Sequence, residues 1–272
     1  MSAKARSSAG RRLRPIPDRL VVLTFDDGCK SDAAFVAPLL EHCGFGATFF
    51  VNDASGIRDS RAAANYVTWD EVRGIHEAGF EIGNHTRSHP SVEGLSGDQF
   101  RLELEFIKQR CVEHGIPAPR TFCYPGFYFC RSAVEVLAEK GYIFARRGVF
   151  PEFHYDTEGG RGPAYDPAVD HPLLIPTTGF SGPHWGLDDL AWAIEQAAGG
   201  RIAVLCFHGV PDLDHPWVHT DPETFRKYVD FLRDSRCTVI AMRDLAQYVD
   251  PSAGPCDPIG AIERKQKCKQ RT

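Results

Sequence analysis

Between residues 20 and 249, short apolar runs alternate with stretches that carry helical periodicity, which restricts the chain to a parallel sheet with helices packed outside it. Strand-type runs fall at 20–25, 47–51, 80–83, 121–124, 143–146, 173–176, 202–207 and 238–241. Helical patterns fall at 32–43, 68–78, 96–114, 131–140, 187–198, 222–234 and 242–249. Thr68 is followed by Glu71 at capping-box spacing. Gly44, Gly79, Gly115 and Gly141 sit just past four helix ends, where a left-handed residue closes the last turn. Seven or eight such units favour a closed or nearly closed barrel over an open sheet. The stretch 148–186, with many Gly and Pro, reads as a long functional loop region. Residues 1–17 and 251–272 read as flexible tails, which leaves one domain at 18–250.

Composition then narrows the function classes. Apolar residues make up 43% of the 272, enough for one sizeable core. A net charge of −5, with no basic stripe interleaved with aromatics, argues against nucleic acid as a partner. No stretch approaches the roughly 18 apolar residues that a spanning helix needs, and no apolar run follows the basic start MSAKARSSAGRRLRPIP as a secretion signal would. The nine cysteines form no CxxC pair and read as free thiols of a reducing compartment. A cytoplasmic protein is expected, and no protein partner is implied.

Three strand-type runs end in ionisable residues. LVVLTF stops on Asp26-Asp27-Gly28, FEIG on Asn84-His85-Thr86-Arg87-Ser88-His89, and RIAVLCF on His208-Gly209. In a parallel α/β barrel all strand C-termini share one face, and that face carries the active site. Asp-Asp-Gly alone is ordinarily a turn, and HxxxH occurs twice here, at His85/His89 and at His215/His219. Convergence at strand ends is what makes metal chemistry the better reading. Two imidazoles four residues apart can meet across a helical turn, and with one carboxylate they form a set that leaves positions open for water and substrate. Such an ion acidifies water and polarises an acyl oxygen. A second carboxylate can take the water's proton, and a further histidine can protonate a departing amine.

Thr24-Phe25-Asp26-Asp27-Gly28, His85-Thr86-Arg87-Ser88-His89-Pro90 and Leu205-Cys206-Phe207-His208 resemble, in order and spacing, the first, second and fifth motifs of the polysaccharide deacetylases. These form the NodB-homology group, also called carbohydrate esterase family 4, and the likeness spans about residues 20–250. The resemblance implies a distorted (β/α) barrel of about seven parallel strands that deacetylates N-acetylated sugars or polysaccharides. It implies Asp26 as base, His208 as acid, and Asp27, His85 and His89 as ligands of one divalent ion. Zinc is expected first, with cobalt, nickel or manganese as alternatives. Substrate contacts are expected from Tyr124, Pro125, Gly126 and Trp185.

Two departures stand out. Family members carry a third-motif arginine that pairs with the base aspartate, and Cys123 occupies its place here. Arg146 or Arg147 at the next strand end, or the metal itself, would have to replace it. The fourth-motif aspartate that orients the acid histidine is also missing. Pro183-His184-Trp185 reads as the remnant of that motif, with His184, Asp188 or Asp189 as substitutes. Trp185 and Trp217 would either stack on sugar rings or simply pack. Asp212, Asp214, His215 and His219 form a polar rim loop in preference to a second metal site, and Cys206 points inward as a small core residue. Two other functions stay open: hydrolysis of a small amide or formamide on the same scaffold, and carbohydrate binding without catalysis.

Overall fold

The structure is a computed structural model, and it describes residues 12–53, 65–154, 159–260 and 262. Eight parallel strands run in chain order: β1 (Leu20–Asp26), β2 (Thr48–Val51), β3 (Glu81–Asn84), β4 (Thr121–Cys123), β5 (Phe144–Arg146), β6 (Gly179–Phe180), β7 (Ala203–Phe207) and β8 (Thr238–Ile240). Seven form the curled path β5-β4-β3-β2-β1-β7-β6. β8 pairs with the first half of β1, at Leu20–Val22, whereas β2 pairs with its second half, Thr24 to Asp26. The result is a distorted (β/α) barrel. Around it lie α1 (Ala37–Cys43), α2 (Trp69–Glu77), α3 (Gly97–Glu113), α4 (Arg131–Glu139), α5 (Leu187–Glu195) and α6 (Pro222–Asp234).

Strand alternation sorts the core into an inside and an outside. Val21, Leu23 and Phe25 of β1 face outward with Phe49, Leu205 and Phe207, under Leu40 of α1, Val72 of α2 and Phe225 of α6. Leu20 and Val22 face inward with Phe50, Cys123, Phe144, Ile175 and Val204. Met242 and Leu245, from a 3-10 turn at Met242–Gln247, belong to the same inner cluster. Here Met242 N donates to Thr48 Oγ1 (2.7 Å), and Thr48 Oγ1 donates to the buried Glu81 (2.6 Å). Thr121 Oγ1 (2.8 Å) and Arg243 N (2.8 Å) complete the ring of donors to Glu81.

The expected glycines behave as helix ends require: Gly44, Gly79, Gly115 and Gly141 all take positive φ, and Thr68 closes a reciprocal capping box with Glu71. Four expectations need correction. The helix expected at 32–43 opens with a π-helical turn at Asp32–Val36 before α1. The 242–249 pattern folds as 3-10 and not as α-helix. The run at 173–176 lies between Pro172 and Pro176, which have no N–H to give, so it makes a single parallel bridge, Ile175 to Arg146. Conversely, β6 arises inside the stretch read as loop, because Gly179 and Phe180 pair with Leu205 and Cys206 of β7.

Parts of both expected tails pack on the barrel. Arg14 N donates to Gln247 O (2.8 Å), Ile16 lies against the inner cluster, and Asp257 pairs with Arg131 (2.9 Å). The rest of those tails lies outside the described residues. No helix among the described residues is long and apolar enough to cross a membrane.

Candidate active site

The alternation that places Leu20 and Val22 inside the barrel also turns Asp26 inward at the C-terminal end of β1. Asp26 is 1% exposed. Arg146, at the end of β5, is wholly buried, and its Nη2 reaches both carboxylate oxygens at 2.6 and 2.5 Å. Arg146 lies in register with Cys123 of β4. The cation expected from β4 is thus supplied by the adjacent strand. The thiols of Cys123 and Cys206 each donate to Asp26 Oδ2 (3.5 Å). Burial alone would raise the Asp26 carboxyl, but Arg146, aided by His85 and His208, outweighs it and holds the group below the ordinary carboxylate value. Arg147 points elsewhere and forms a buried ion pair with Glu152 (2.6 Å).

Asp27 follows in the left-handed region (φ 73°), a conformation rare for a residue with a side chain. The turn swings its carboxylate out of the strand parity and between three imidazoles. Oδ1 lies 3.4 Å from His85 Nε2 and 3.6 Å from His89 Nε2, and Oδ2 lies 3.7 Å from His208 Nε2. Asn52 donates to Oδ1 (2.8 Å) and fixes its direction. The histidine pair is not carried on a helical turn, as its spacing allowed. Thr86 (φ 65°) and His89 (φ 54°) are both left-handed, and His89 N donates to Thr86 Oγ1 (3.1 Å). This tight loop brings the two rings to 4.8 Å, edge to face.

Ligand atoms of Asp27, His85 and His89 all lie within 4.8 Å of one another. His85 Nδ1 lies 2.8 Å from the carbonyl oxygen of Cys123, so it donates there and leaves the Nε2 lone pair facing Asp27. Burial and the neighbouring His85 push His89 down to about 4, so its ring is neutral, as a metal ligand must be. Burial would raise Asp27, but its imidazole neighbours, His85 first and then His208 and His89, hold it well below the usual range. A carboxylate aimed at two oriented imidazole nitrogens fits a divalent ion, and the open cavity beside them leaves room for water and an acyl group.

His208 follows β7, its ring edge-on to Phe180 (centroids 5.6 Å). Its Nδ1 is buried without a hydrogen-bond partner among the described residues. None of the substitutes for the orienting aspartate takes up that nitrogen. His184 and Asp188 are exposed, and Asp189 accepts from Arg161 (2.8 Å) and from the N–H of Gly186 (2.9 Å) as a helix cap.

These groups open into a cavity of about 540 Å³ lined by Asp26, Asp27, His85, His89, His208, Gly126, Phe127, Phe180, His215, Trp217 and Val218. Of the expected substrate contacts, Gly126 lines it, in a left-handed conformation (φ 58°). Tyr124 and Pro125 are buried behind it, the Tyr124 hydroxyl donating to Leu173 O (2.9 Å). Trp185 is 5% exposed and packs in the outer core. Phe127, Phe180 and Val218 escaped the sequence reading. Phe180 sits on a two-residue strand, and Phe127 is aimed by positive φ, neither of which leaves a periodic signal. Asp212 accepts from the N–H groups of Asp214 (3.1 Å) and His215 (2.8 Å) in its own loop and from the Cys29 thiol (3.7 Å).

Comparison with known proteins points the same way as this geometry. The family model described as polysaccharide deacetylase matches residues 14–145. Just under half of the chain thus resembles the polysaccharide deacetylases. No curated protein matches it by sequence. Among solved structures, the chain is similar to the chitin deacetylase of the fungal pathogen Colletotrichum lindemuthianum. That match has 17% identity over 89% of this chain and 93% of that one, with a TM-score of 0.57. A family 4 carbohydrate esterase from Streptomyces lividans matches at 20% identity over 87% and 96%, TM-score 0.54. The Bc1960 peptidoglycan N-acetylglucosamine deacetylase matches at 15% over 87% and 92%, TM-score 0.58. At these identities the solved structures speak for a shared fold.

Proposed function

We propose that this protein is a metal-dependent hydrolase of non-peptide carbon–nitrogen bonds that removes N-acetyl groups from sugars, with 18–250 as its catalytic unit. Asp27, His85 and His89 hold one divalent ion, zinc in the first instance, which supplies an acidified water and a Lewis acid for the acyl oxygen. Asp26 receives the water's proton and is kept ionised for that task by Arg146. His208, beside Asp27 on the cavity wall, delivers a proton to the departing amine, without which the C–N bond breaks poorly. Gly126 contributes backbone, free of any side chain, to the floor on which the acetamido group rests.

The observation that carries this reading is the placement of an Arg-paired carboxylate and the His208 imidazole beside a His–His–Asp cluster in one cavity. The similar structures named for chitin and for peptidoglycan N-acetylglucosamine support N-acetylglucosamine as the sugar to try first. The test is acetate release from N-acetylglucosamine oligomers and from small amides and formamides, by protein stripped of metal and then restored with zinc. Zinc-dependent acetate release from the oligomers is expected. Turnover of the small amides alone would move the assignment to the small-amide reading.

A further inference from the structure

His208 must aim a proton, yet its Nδ1 is buried without a hydrogen-bond partner among the described residues. Its Nε2 stands 3.7 Å from Asp27 Oδ2, beyond hydrogen-bond length. The torsion that turns an imidazole about its stem is broad and roughly two-fold. A ring fixed by no hydrogen bond therefore takes its direction from what it packs against. Here that neighbour is Phe180, whose ring stands at 89° to the imidazole with centroids 5.6 Å apart. This is the edge-to-face arrangement that aromatic rings favour.

Phe180 is itself held firmly. It is the register partner of Cys206 in β7, two residues before His208, so the two rings meet across adjacent strands. β6 is only two residues long but is tied on both sides. Phe180 N donates to Gly160 O (2.9 Å), Ser181 N donates to Cys206 O (2.9 Å), and the Ser181 and Thr220 hydroxyls bond at 2.8 Å. The Phe180 ring is backed by Phe127, edge to face at 5.3 Å and 86°. Phe127 takes a left-handed backbone (φ 65°) and lies against Gly148, where a Cβ would stand 2.7 Å from its ring. The Arg146 guanidinium carbon lies over the Phe127 face, 5.4 Å from the centroid. Phe127, Phe180 and His208 thus form one packed row of rings. It begins at the guanidinium paired with Asp26 and ends at the imidazole across the cavity.

We infer that Phe180 is a positioning residue: its ring, backed by Phe127, holds the His208 imidazole in the direction from which it gives a proton to the departing amine. The inference rests on the deacetylase reading, in which His208 is the acid. Phe180 acts only through His208 in this role. Proton delivery depends steeply on aim, and a misplacement of about 1 Å can cost about a hundredfold in rate. Such a role has a signature that general damage lacks. It matters where the leaving group needs a proton and matters less where it does not.

The test compares wild type, Phe180→Leu and Phe180→Tyr, each with and without His208→Ala, all zinc-loaded. The substrates are the N-acetylglucosamine tetramer and 4-nitrophenyl acetate, whose phenolate leaves without being protonated. For Phe180→Leu we expect kcat on the tetramer to fall about tenfold or more, part of the roughly hundred- to ten-thousand-fold that a general acid contributes. KM should stay within about threefold, and the fall on 4-nitrophenyl acetate should be at least about threefold smaller. Phe180→Tyr, which keeps the ring, should recover most of the loss. In the His208→Ala background Phe180→Leu should add less than about twofold, because an effect exerted through His208 disappears with it. Zinc content should match wild type, and a crystal structure of Phe180→Leu should show the imidazole turned from its wild-type direction. An equal loss on both substrates, a loss that persists in full without His208, a change confined to KM, no loss, or an unmoved imidazole would each overturn the positioning role. A wild type that releases acetate from neither substrate removes the deacetylase reading itself, and the positioning role with it. That outcome is separate from any difference among the variants.

Discussion

Replacing Arg146 with methionine removes the guanidinium that holds Asp26 ionised and leaves the carboxyl in a site 1% exposed. Breaking a buried ion pair by deleting one partner costs about 3–5 kcal/mol, a large share of the roughly 5–15 kcal/mol that keeps a domain folded. The sign follows from the direction of the Asp26 shift. Its folded value lies below the unfolded one, so its stabilisation is present above the unfolded carboxylate value and fades as pH falls through the folded one. Without Arg146, burial is opposed only by His85 and His208, and we expect the folded value to rise above the unfolded one. The variant should then lose stability at neutral pH and recover part of it on acidification. In catalysis, the acidic limb of the kcat/KM profile should move to higher pH, because the base stays protonated longer. Urea unfolding of metal-stripped protein between pH 4 and 8 (a span set by the ordinary carboxylate and imidazole values, about 3.9 and 6.5) reads the first effect, and kcat/KM against pH reads the second. The pair Cys123→Arg with Arg146→Cys returns the guanidinium to β4, opposite its present position in register, and should restore much of both. An Arg146→Met protein within about 1 kcal/mol of wild type at neutral pH, with an unmoved acidic limb, would refute the reasoning.

His85→Ala should bind less than about a tenth of the wild-type zinc while keeping a cooperative unfolding transition. Elemental analysis and circular dichroism check this, and full zinc occupancy would remove His85 from the ligand set. Asp26→Asn and His208→Ala should retain zinc yet lose about a hundred- to ten-thousand-fold in kcat. Retention of more than about a tenth of turnover in either variant would strip that residue of its role. Glu81→Ala leaves the hydroxyls of Thr48 and Thr121 and the N–H of Arg243 without their acceptor, and should cost roughly 1–3 kcal/mol for each group that water cannot reach. A chemical-denaturation midpoint unchanged from wild type would show that water replaces the carboxylate there.

The sheet and its catalytic ends were legible because strand parity and strand-end position are written in short, strongly apolar runs. LVVLTFDD reads as a buried strand that ends on two carboxylates at a turn. Side chains aimed by other means were not legible. His85 and His89 meet through two left-handed residues and not through a helical turn, and a spacing of four residues fits either. Trp185 and Trp217 looked alike in sequence, yet one is packed under β6 and the other stands in the mouth. What separates them is the Asp212-centred loop, whose hydrogen bonds run between backbone N–H groups and one carboxylate. Glu81 gave no signal because its three donors come from β2, β4 and the Met242–Gln247 turn.

The arginine's move from β4 to β5 shows which feature of the site is constrained. Inside a barrel the inward positions of neighbouring strands stand side by side, roughly 4.8 Å apart, and Cys123 and Arg146 are register partners. An arginine side chain spans that distance, so either strand can deliver a guanidinium to the same carboxylate. What the other strand must then supply is a small residue that leaves the path open. Cys123 does so, and it adds a thiol that donates to Asp26 Oδ2 while its sulfur lies 2.8 Å from Arg146 Nη2. Asp26 itself has no such freedom, since it must lie both inward in β1 and one residue before the left-handed turn at Asp27. The constraint therefore falls on the charge delivered to Asp26 and on the volume left at the neighbouring inward position, and only indirectly on which strand carries the arginine.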